Sequence, residues 1–308
     1  MTRIIHLSDP HFGTERPQVV DALQRLVREL SPDCLVLSGD ITQRARPVQF
    51  RAARAFLDRL AVPHLLTIPG NHDISLFNPF KRLFAPYRDY RRWIGAELEP
   101  VIDLPDVLII GVNTTRRYRH IQGEVSDRQV QSVARRLRAA GPAQTRIVVT
   151  HQPAWVIRPQ DQHDRLRGHE DALKEWAKSG ADLVLGGHIH LPYIAAIHEC
   201  LAGMARPLWV VQAGTAVSSR VRAEADNSVN LIELDRSATD DAISGDVHRT
   251  HCTRCTISRW DYQPGPEIFS RISDFTINLE RQADAGGEHG EPVHMPAGGS
   301  SGWHIPAA

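Results

Sequence analysis

Asp9-Pro10-His11, Gly39-Asp40, Gly70-Asn71-His72-Asp73, a lone His151 and Gly187-His188-Ile189-His190 follow one another along the chain in that order. Together they offer oxygen and imidazole donors without a thiolate, enough to hold two divalent cations side by side. Two such ions, roughly 3.5–4 Å apart, need one shared anion and enough neutral imidazole to keep the centre from being overcharged. Asp40 is the natural bridge. The mixture of His, Asp and one Asn favours manganese, iron, zinc or cobalt over magnesium or calcium, which prefer mostly oxygen. Water held between two cations ionises near neutral pH and attacks phosphorus in line, while the same cations neutralise the phosphate oxygens. No covalent nucleophile is required. The remaining task, a proton for the leaving oxygen, suits a histidine that stands beside the metals without binding them. His72 fits that description.

Elements must carry these motifs to one place. Residues 3–7, 34–37, 64–68, 147–149 and 183–185 are short apolar runs, and each leads into one of the motifs. Runs of this length with little polar alternation suit strands buried on both faces. Between them, residues 19–30 and 48–60 repeat apolar side chains at helical spacing. Alternating strand and helix predicts a parallel α/β core whose ligands gather past the carboxyl ends of its strands.

This ordered set of motifs resembles the calcineurin-like metallophosphoesterase superfamily and, within it, the bacterial class III cyclic-nucleotide phosphodiesterases. The similarity runs from residue 4 to about residue 234. It implies an α/β fold of the four-layer sandwich type, two mixed β-sheets flanked by α-helices. By the same resemblance, Asp9, His11, Asp40 and His190 hold one metal, and Asp40, Asn71, His151 and His188 hold the second. His72 becomes the proton donor, with Asp73 orienting or polarising it. The expected cofactors are two divalent ions drawn from manganese, iron and zinc. The expected reaction is in-line attack by a metal-bridging hydroxide on a small phosphodiester, with 3′,5′-cyclic AMP foremost. One alternative is a pyrophosphohydrolase of a lipid-linked nucleotide sugar of the UDP-diacylglucosamine type. A non-enzymatic alternative is a scaffold that keeps the fold after its site has decayed. No expected ligand position is substituted, which favours the enzyme.

Arg44 has two readings. Protein phosphatases of the superfamily carry Gly-Asp-x-x-Asp-Arg-Gly, whose arginine grips the substrate phosphate, and here Gly39-Asp40-Ile41-Thr42-Gln43-Arg44-Ala45 keeps the arginine alone. A guanidinium there could bind a substrate phosphate, or it could simply be solvated. Losing the rest of that motif argues against phosphoproteins and for phosphodiesters. Residues 79–94 read as a helix interrupted at Pro86, with Phe80, Leu83, Phe84, Tyr87 and Ile94 as apolar anchors among Lys81, Arg82, Arg88, Arg91 and Arg92. That stretch is an ordinary amphipathic helix, a cationic rim for anionic substrate, or an interfacial helix facing lipid. Arg116-Arg117-Tyr118-Arg119-His120 could extend the rim. His6, His64 and His198 read as ordinary core or loop histidines.

Composition narrows the setting. Lys and Arg number 36 and Asp and Glu 36, so no global field recruits a nucleic acid polymer or an anionic membrane. Membrane contact is expected only under the lipid alternative. With the first strand at residue 3 and no apolar run near 18 residues, a cytoplasmic location is expected. Residues 1–262 are assigned to the metallophosphoesterase domain, 263–282 to an appended segment that docks on it, and 283–308, rich in Gly, Pro and His, to a disordered tail. Residues 191–197, 207–212 and 228–234 read as strands of a second sheet, and 244–262 as an edge hairpin. Cys34 and Cys200 read as inert, and Cys252 and Cys255 with His248 and His251 make half a zinc motif without a second cluster.

Overall fold

The computed structural model describes residues 1–238, apart from Phe77 and Glu224, and residues 251–281, with the side chains at 236–238, 251–252 and 280–281 left out. His248, the Cys252 side chain and the expected tail at 283–308 lie outside the described residues. Strand and helix alternate through β1 (Thr2–Leu7), α1 (Pro17–Leu30), β2 (Cys34–Leu37), α2 (Pro47–Leu60) and β3 (His64–Thr67). The segment 79–94 forms two short helices, α3 (Pro79–Phe84) and α4 (Arg88–Trp93), with the expected interruption around Pro86. There follow β4 (Val101–Leu104), β5 (Val107–Gly111), α5 (Asp127–Ala139), β6 (Thr145–Val149), α6 (His169–Lys178), β7 (Leu183–Gly186), β8 (Tyr193–Ala196), α7 (Ile197–Cys200) and β9 (Trp209–Gln212). The last described strands are β10 (Ser228–Ala238), β11 (His251–Gln263) and β12 (Ile268–Arg281).

The strands form two sheets, ordered β12-β11-β10-β1-β2-β3 and β4-β5-β6-β7-β9-β8. Both are mixed: β1, β2 and β3 run parallel while β10 pairs antiparallel with β1, and β8 runs antiparallel to β9. Period-two alternation divides each strand between two cores. Ile4, Val36, Ile109, Ile147, Val149, Leu183 and Leu185 face one another between the sheets. Their sequence neighbours Ile5, Leu35 and Leu37 face α1 and α2, and Val148 and Val184 pack with residues of α5 and α6. Helix, sheet, sheet, helix is therefore the layer order. No helix among the described residues is long and apolar enough to cross a membrane.

Three expectations are corrected by the structure, two of them through strand pairing. Residues 228–234 belong to the first sheet, because β10 pairs along β1 from Thr2↔Leu234 to His6↔Asn230 and sends Ile232 and Leu234 into the inter-sheet core. The segment 263–282 is not an appendage. It contains the edge strand β12, paired to β11 from His251↔Arg281 to Gln263↔Ile268, so a boundary after Tyr262 would cut one hairpin. Its alternate residues Ile277 and Leu279 complete the same core that holds Ile257 and Cys255. Burial, with a smaller push from Asp182, raises the Cys255 thiol, as suits a packed core residue and not a metal ligand. Finally, Phe80 and Phe84 are not anchors: they are 77% and 76% exposed, and Arg82 takes the inward position of α3. Its guanidinium donates to the carbonyls of Arg117 and Arg119, tying α3 to the loop after β5.

Candidate two-metal centre

The predicted ligands converge at the carboxyl ends of strands from both sheets. Loops leaving β1, β2 and β3 carry Asp9, His11, Asp40 and Asn71, and loops leaving β6 and β7 carry His151, His188 and His190. Adjacent loops prolong the strand ladder: Asp9 N donates to Gly39 O at 3.1 Å, His11 N to Asp40 O at 3.1 Å, and Gly187 N to His151 O at 2.9 Å. To turn side chains inward at these ends the backbone enters the left-handed region at Asp9 (φ 51°), His11 (43°), Asp40 (48°), His188 (74°) and His190 (55°). Asp and His tolerate that region better than bulky residues do, at a cost of order 1–3 kcal/mol each. Gly39, at φ 105°, packs so closely that a Cβ would meet the His151 ring at 2.5 Å.

Three groups of side chains bring ligand atoms within 4.8 Å of one another: Asp9, His11 and His190; His11, Asp40 and His72; and Asp40, His151 and His188. Asp40 belongs to two of them. Its Oδ2 lies 3.7 Å from His11 Nε2 and 4.0 Å from His72 Nε2, and its Oδ1 lies 3.3 Å from His151 Nε2. Asn71 Oδ1 stands 3.1 Å from His151 Nε2. On the other side, Asp9 Oδ1 faces His190 Nε2 at 3.2 Å and His11 Nε2 at 3.6 Å, and the two imidazole nitrogens approach to 3.1 Å.

The same orientation device recurs at three rings. His151 Nδ1 bonds the Ser38 carbonyl at 2.8 Å, His190 Nδ1 the Arg220 carbonyl at 2.5 Å, and His72 Nδ1 the Gln43 carbonyl at 2.9 Å. A carbonyl only accepts, so each Nδ1 carries a proton, and at His151 and His190 this turns Nε2 inward as a candidate ligand atom. His188 is turned the other way, with Nε2 3.6 Å from Asp164 Oδ1 and Nδ1 buried without a hydrogen bond among the described residues. Asp9 Oδ1 is likewise buried and unbonded. Orphaned buried acceptors facing several imidazoles are what a cation would satisfy, so these residues fit the expected metals.

Charge supports the same conclusion. Burial works to raise the Asp40 carboxyl, but His151, His72 and His11 hold it far below the ordinary carboxylate range. Burial likewise works against Asp9, which His190 and His11 hold well below that range. Burial lowers and the Asp40 carboxylate raises the His151 imidazole, for a net rise to about 9. Two buried carboxylates thus stay ionised and demand positive charge around them.

Asp73 does not touch the donor it was expected to orient. Its carboxylate accepts from the amides of Gly70 (2.9 Å), Ile41 (3.0 Å) and Thr42 (2.8 Å) and from Thr42 Oγ1 (2.9 Å). It therefore fixes the loop that carries Asp40, and the Gln43 carbonyl orients His72. Arg44 is exposed, its backbone amide bonded to Gln49 Oε1 at 2.9 Å. Arg220 lays a guanidinium against the cluster, with Nη1 3.2 Å from His72 Nε2 and 3.4 Å from His11 Nδ1. Arg220 was missed in the sequence; its one signal is a position soon after a strand, β9, that ends on this same edge. Behind Asp9, a buried chain runs from His6 Nε2 to Ser38 Oγ (3.0 Å), Ser8 Oγ (2.8 Å) and Asp9 Oδ2 (2.6 Å). A serine directly before Asp9 and before Gly39-Asp40 was the readable sign of it.

Two mixed sheets packed face to face between helices, with a histidine-aspartate cluster at their strand ends, make the arrangement of a metallophosphoesterase. The family model of calcineurin-like phosphoesterases matches residues 2–192, and the chain belongs to that family. It is similar to a probable cyclic nucleotide phosphodiesterase of Rhodococcus erythropolis, 26% identical over 205 residues that cover 61% of this chain and 64% of that protein. The glycerophosphodiester phosphodiesterase GpdQ of Enterobacter lignolyticus is 28% identical over 166 residues, covering 49% of this chain and 56% of that one. The chain thus spans roughly three fifths of the length of these curated relatives. Among solved structures, the purple acid phosphatase PPD1 of yellow lupin superposes with a TM-score of 0.63 at 13% identity, over 89% of this chain and 53% of that one, a likeness of fold.

Proposed function

We propose that this protein is a two-metal phosphodiesterase that hydrolyses a small phosphodiester, with 3′,5′-cyclic AMP the first substrate to test. The observation that carries the reading is Asp40, whose two carboxylate oxygens face opposite halves of the cluster. Asp9, His11, Asp40 and His190 hold one cation, and Asp40, Asn71, His151 and His188 the other. When bound, the two cations supply the ionisation of a water nucleophile and neutralise charge on the phosphoryl oxygens. His72 is partly exposed, and with Nδ1 fixed on Gln43 O it holds a proton at Nε2 for the departing alkoxide. The names of the similar proteins, a cyclic nucleotide phosphodiesterase and a glycerophosphodiester phosphodiesterase, support small diesters as the class.

A second reading has one observation in its favour. Phe80, Leu83, Phe84, Tyr118 and Ile121 are exposed on α3 and the loop that Arg82 ties to it. Such a surface suits a lipid-linked pyrophosphate. Protein loaded with manganese is tested on cyclic AMP, cyclic GMP, a glycerophosphodiester, bis(p-nitrophenyl) phosphate, a UDP-diacylglucosamine-type lipid and single-stranded DNA. Turnover of small diesters is expected. Turnover of the lipid alone promotes the second reading, and inactivity on every phosphoester with both metals bound sinks the enzyme. His72→Ala is expected to keep both cations and lose roughly 10²–10⁴-fold in rate on diesters with poor leaving groups. Full rate on such a diester contradicts the donor role.

A further inference from the structure

The loop after β9 brings a permanent cation to a centre already lined by imidazoles. Arg220 is partly buried, and its Nη1 reaches Gln43 Oε1 at 3.2 Å, His72 Nε2 at 3.2 Å and His11 Nδ1 at 3.4 Å. Among the described residues no carboxylate pairs with this guanidinium. A guanidinium held at the edge of the cluster by an amide oxygen and imidazole nitrogens, and by no carboxylate of its own among the described residues, keeps its charge for an anion, and the expected substrate is one. The residue is built in from both ends. Its carbonyl accepts from His190 Nδ1, its amide donates to Ser218 Oγ at 3.2 Å, and Ser218 Oγ in turn bonds Thr215 Oγ1, which donates to the Asp9 carbonyl at 2.6 Å.

Gln43 links the guanidinium to the proton donor. Its backbone carbonyl holds His72 Nδ1 while its side-chain oxygen holds Arg220 Nη1, so one residue sets the spacing between the two groups. We propose that Arg220, aimed by Gln43, is the phosphate clamp of this enzyme. It grips a non-bridging oxygen of the phosphoryl group beside the leaving oxygen that His72 protonates, in the role the sequence offered to Arg44. The inference rests on the phosphodiesterase reading and adds to it a binding group for tetrahedral oxyanions. The forked guanidinium matches such an oxygen pair in a way an ammonium does not.

The test uses the manganese-loaded protein and variants Arg220→Ala, Arg220→Lys and Gln43→Leu. For each, bound manganese per chain, kcat and KM for bis(p-nitrophenyl) phosphate, and inhibition by orthophosphate are measured. Arg220→Ala is expected to retain both metals, to weaken orthophosphate inhibition roughly 10- to 100-fold and to raise KM more than it lowers kcat. Arg220→Lys recovers part of that loss, and Gln43→Leu shows a smaller loss of the same kind. Unchanged orthophosphate inhibition in Arg220→Ala overturns the clamp. So does equal loss of manganese in Arg220→Ala and Arg220→Lys, which would assign the residue to ligand support through His190. If the unmodified protein hydrolyses no diester yet binds orthophosphate in an Arg220-dependent way, the phosphodiesterase reading falls and the clamp stands.

Discussion

The two sheets contribute unlike halves to the centre. Strand ends of the first sheet supply every oxygen donor, Asp9, Asp40 and Asn71, together with His11 and the proposed donor His72. Strand ends of the second supply imidazoles alone, His151, His188 and His190. The carboxylates of the proposed ligand set thus lie on one side, and each cation would take ligands from both. Neither sheet alone holds a site. The candidate centre sits where the two sheets meet, and the sheets are packed together through the apolar layer that holds Ile4, Val36, Ile147 and Leu185.

That asymmetry is most easily broken at its oxygen side. Asp40→Ala should lose both cations and fall to background turnover, because it removes the shared anion. His188→Ala, on the imidazole side, should lose one cation and keep the other. Metal content per chain distinguishes the two variants, and equal losses would show that the halves are not divided as drawn. A smaller effect is expected at Asp73. Asp73→Asn replaces an acceptor of backbone amides with a group that cannot satisfy all of them, loosening the Asp40 loop and lowering metal affinity roughly 10- to 100-fold. Saturating manganese should then restore most of the rate. A rate that stays low at full occupancy would return Asp73 to a direct role on His72.

The smallest effect concerns the support behind the oxygen side. Burial, against a weaker pull from Asp9, lowers the His6 imidazole to about 3, while its unfolded value is near 6.5. Between those values the unfolded chain binds a proton that the folded chain refuses. His6 therefore costs no stability above about pH 6.5 and progressively more as pH falls toward 3, at up to about 1.4 kcal/mol per pH unit. Denaturant unfolding of the metal-free protein at pH 7 and pH 5 should show a larger acid loss in the wild type than in His6→Gln. Identical pH dependence would mean that His6 is protonated in the fold.

The cluster was legible because its signal is doubled: each motif has residue types able to bind metal and follows a short apolar run, so Asp9, Asp40, Asn71, His151 and His188 announce both a possible chemistry and a place. Other features lacked one half of that signal. β10 and β12 read as strands or apolar segments, yet sheet membership depends on pairing with β1 and β11 across long stretches of chain. Arg220 has the chemistry without a motif, since its reach to His72 and Gln43 exists only after the β9 loop folds back over β1. Asp73 sits in the most informative motif of all, and its neighbour His72 suggested a partnership that the backbone amides of Ile41 and Thr42 claim instead. The inward face of α3 was misjudged for a similar reason, because Arg82 found carbonyl partners that hydropathy does not count.

The most direct test titrates manganese into the metal-free protein while counting bound ions and following bis(p-nitrophenyl) phosphate hydrolysis on the same samples. A centre shared between the sheets predicts two ions per chain, with hydrolysis rising as the second is bound. Full activity with a single ion, or two bound ions without hydrolysis of this or any other phosphodiester, would contradict it.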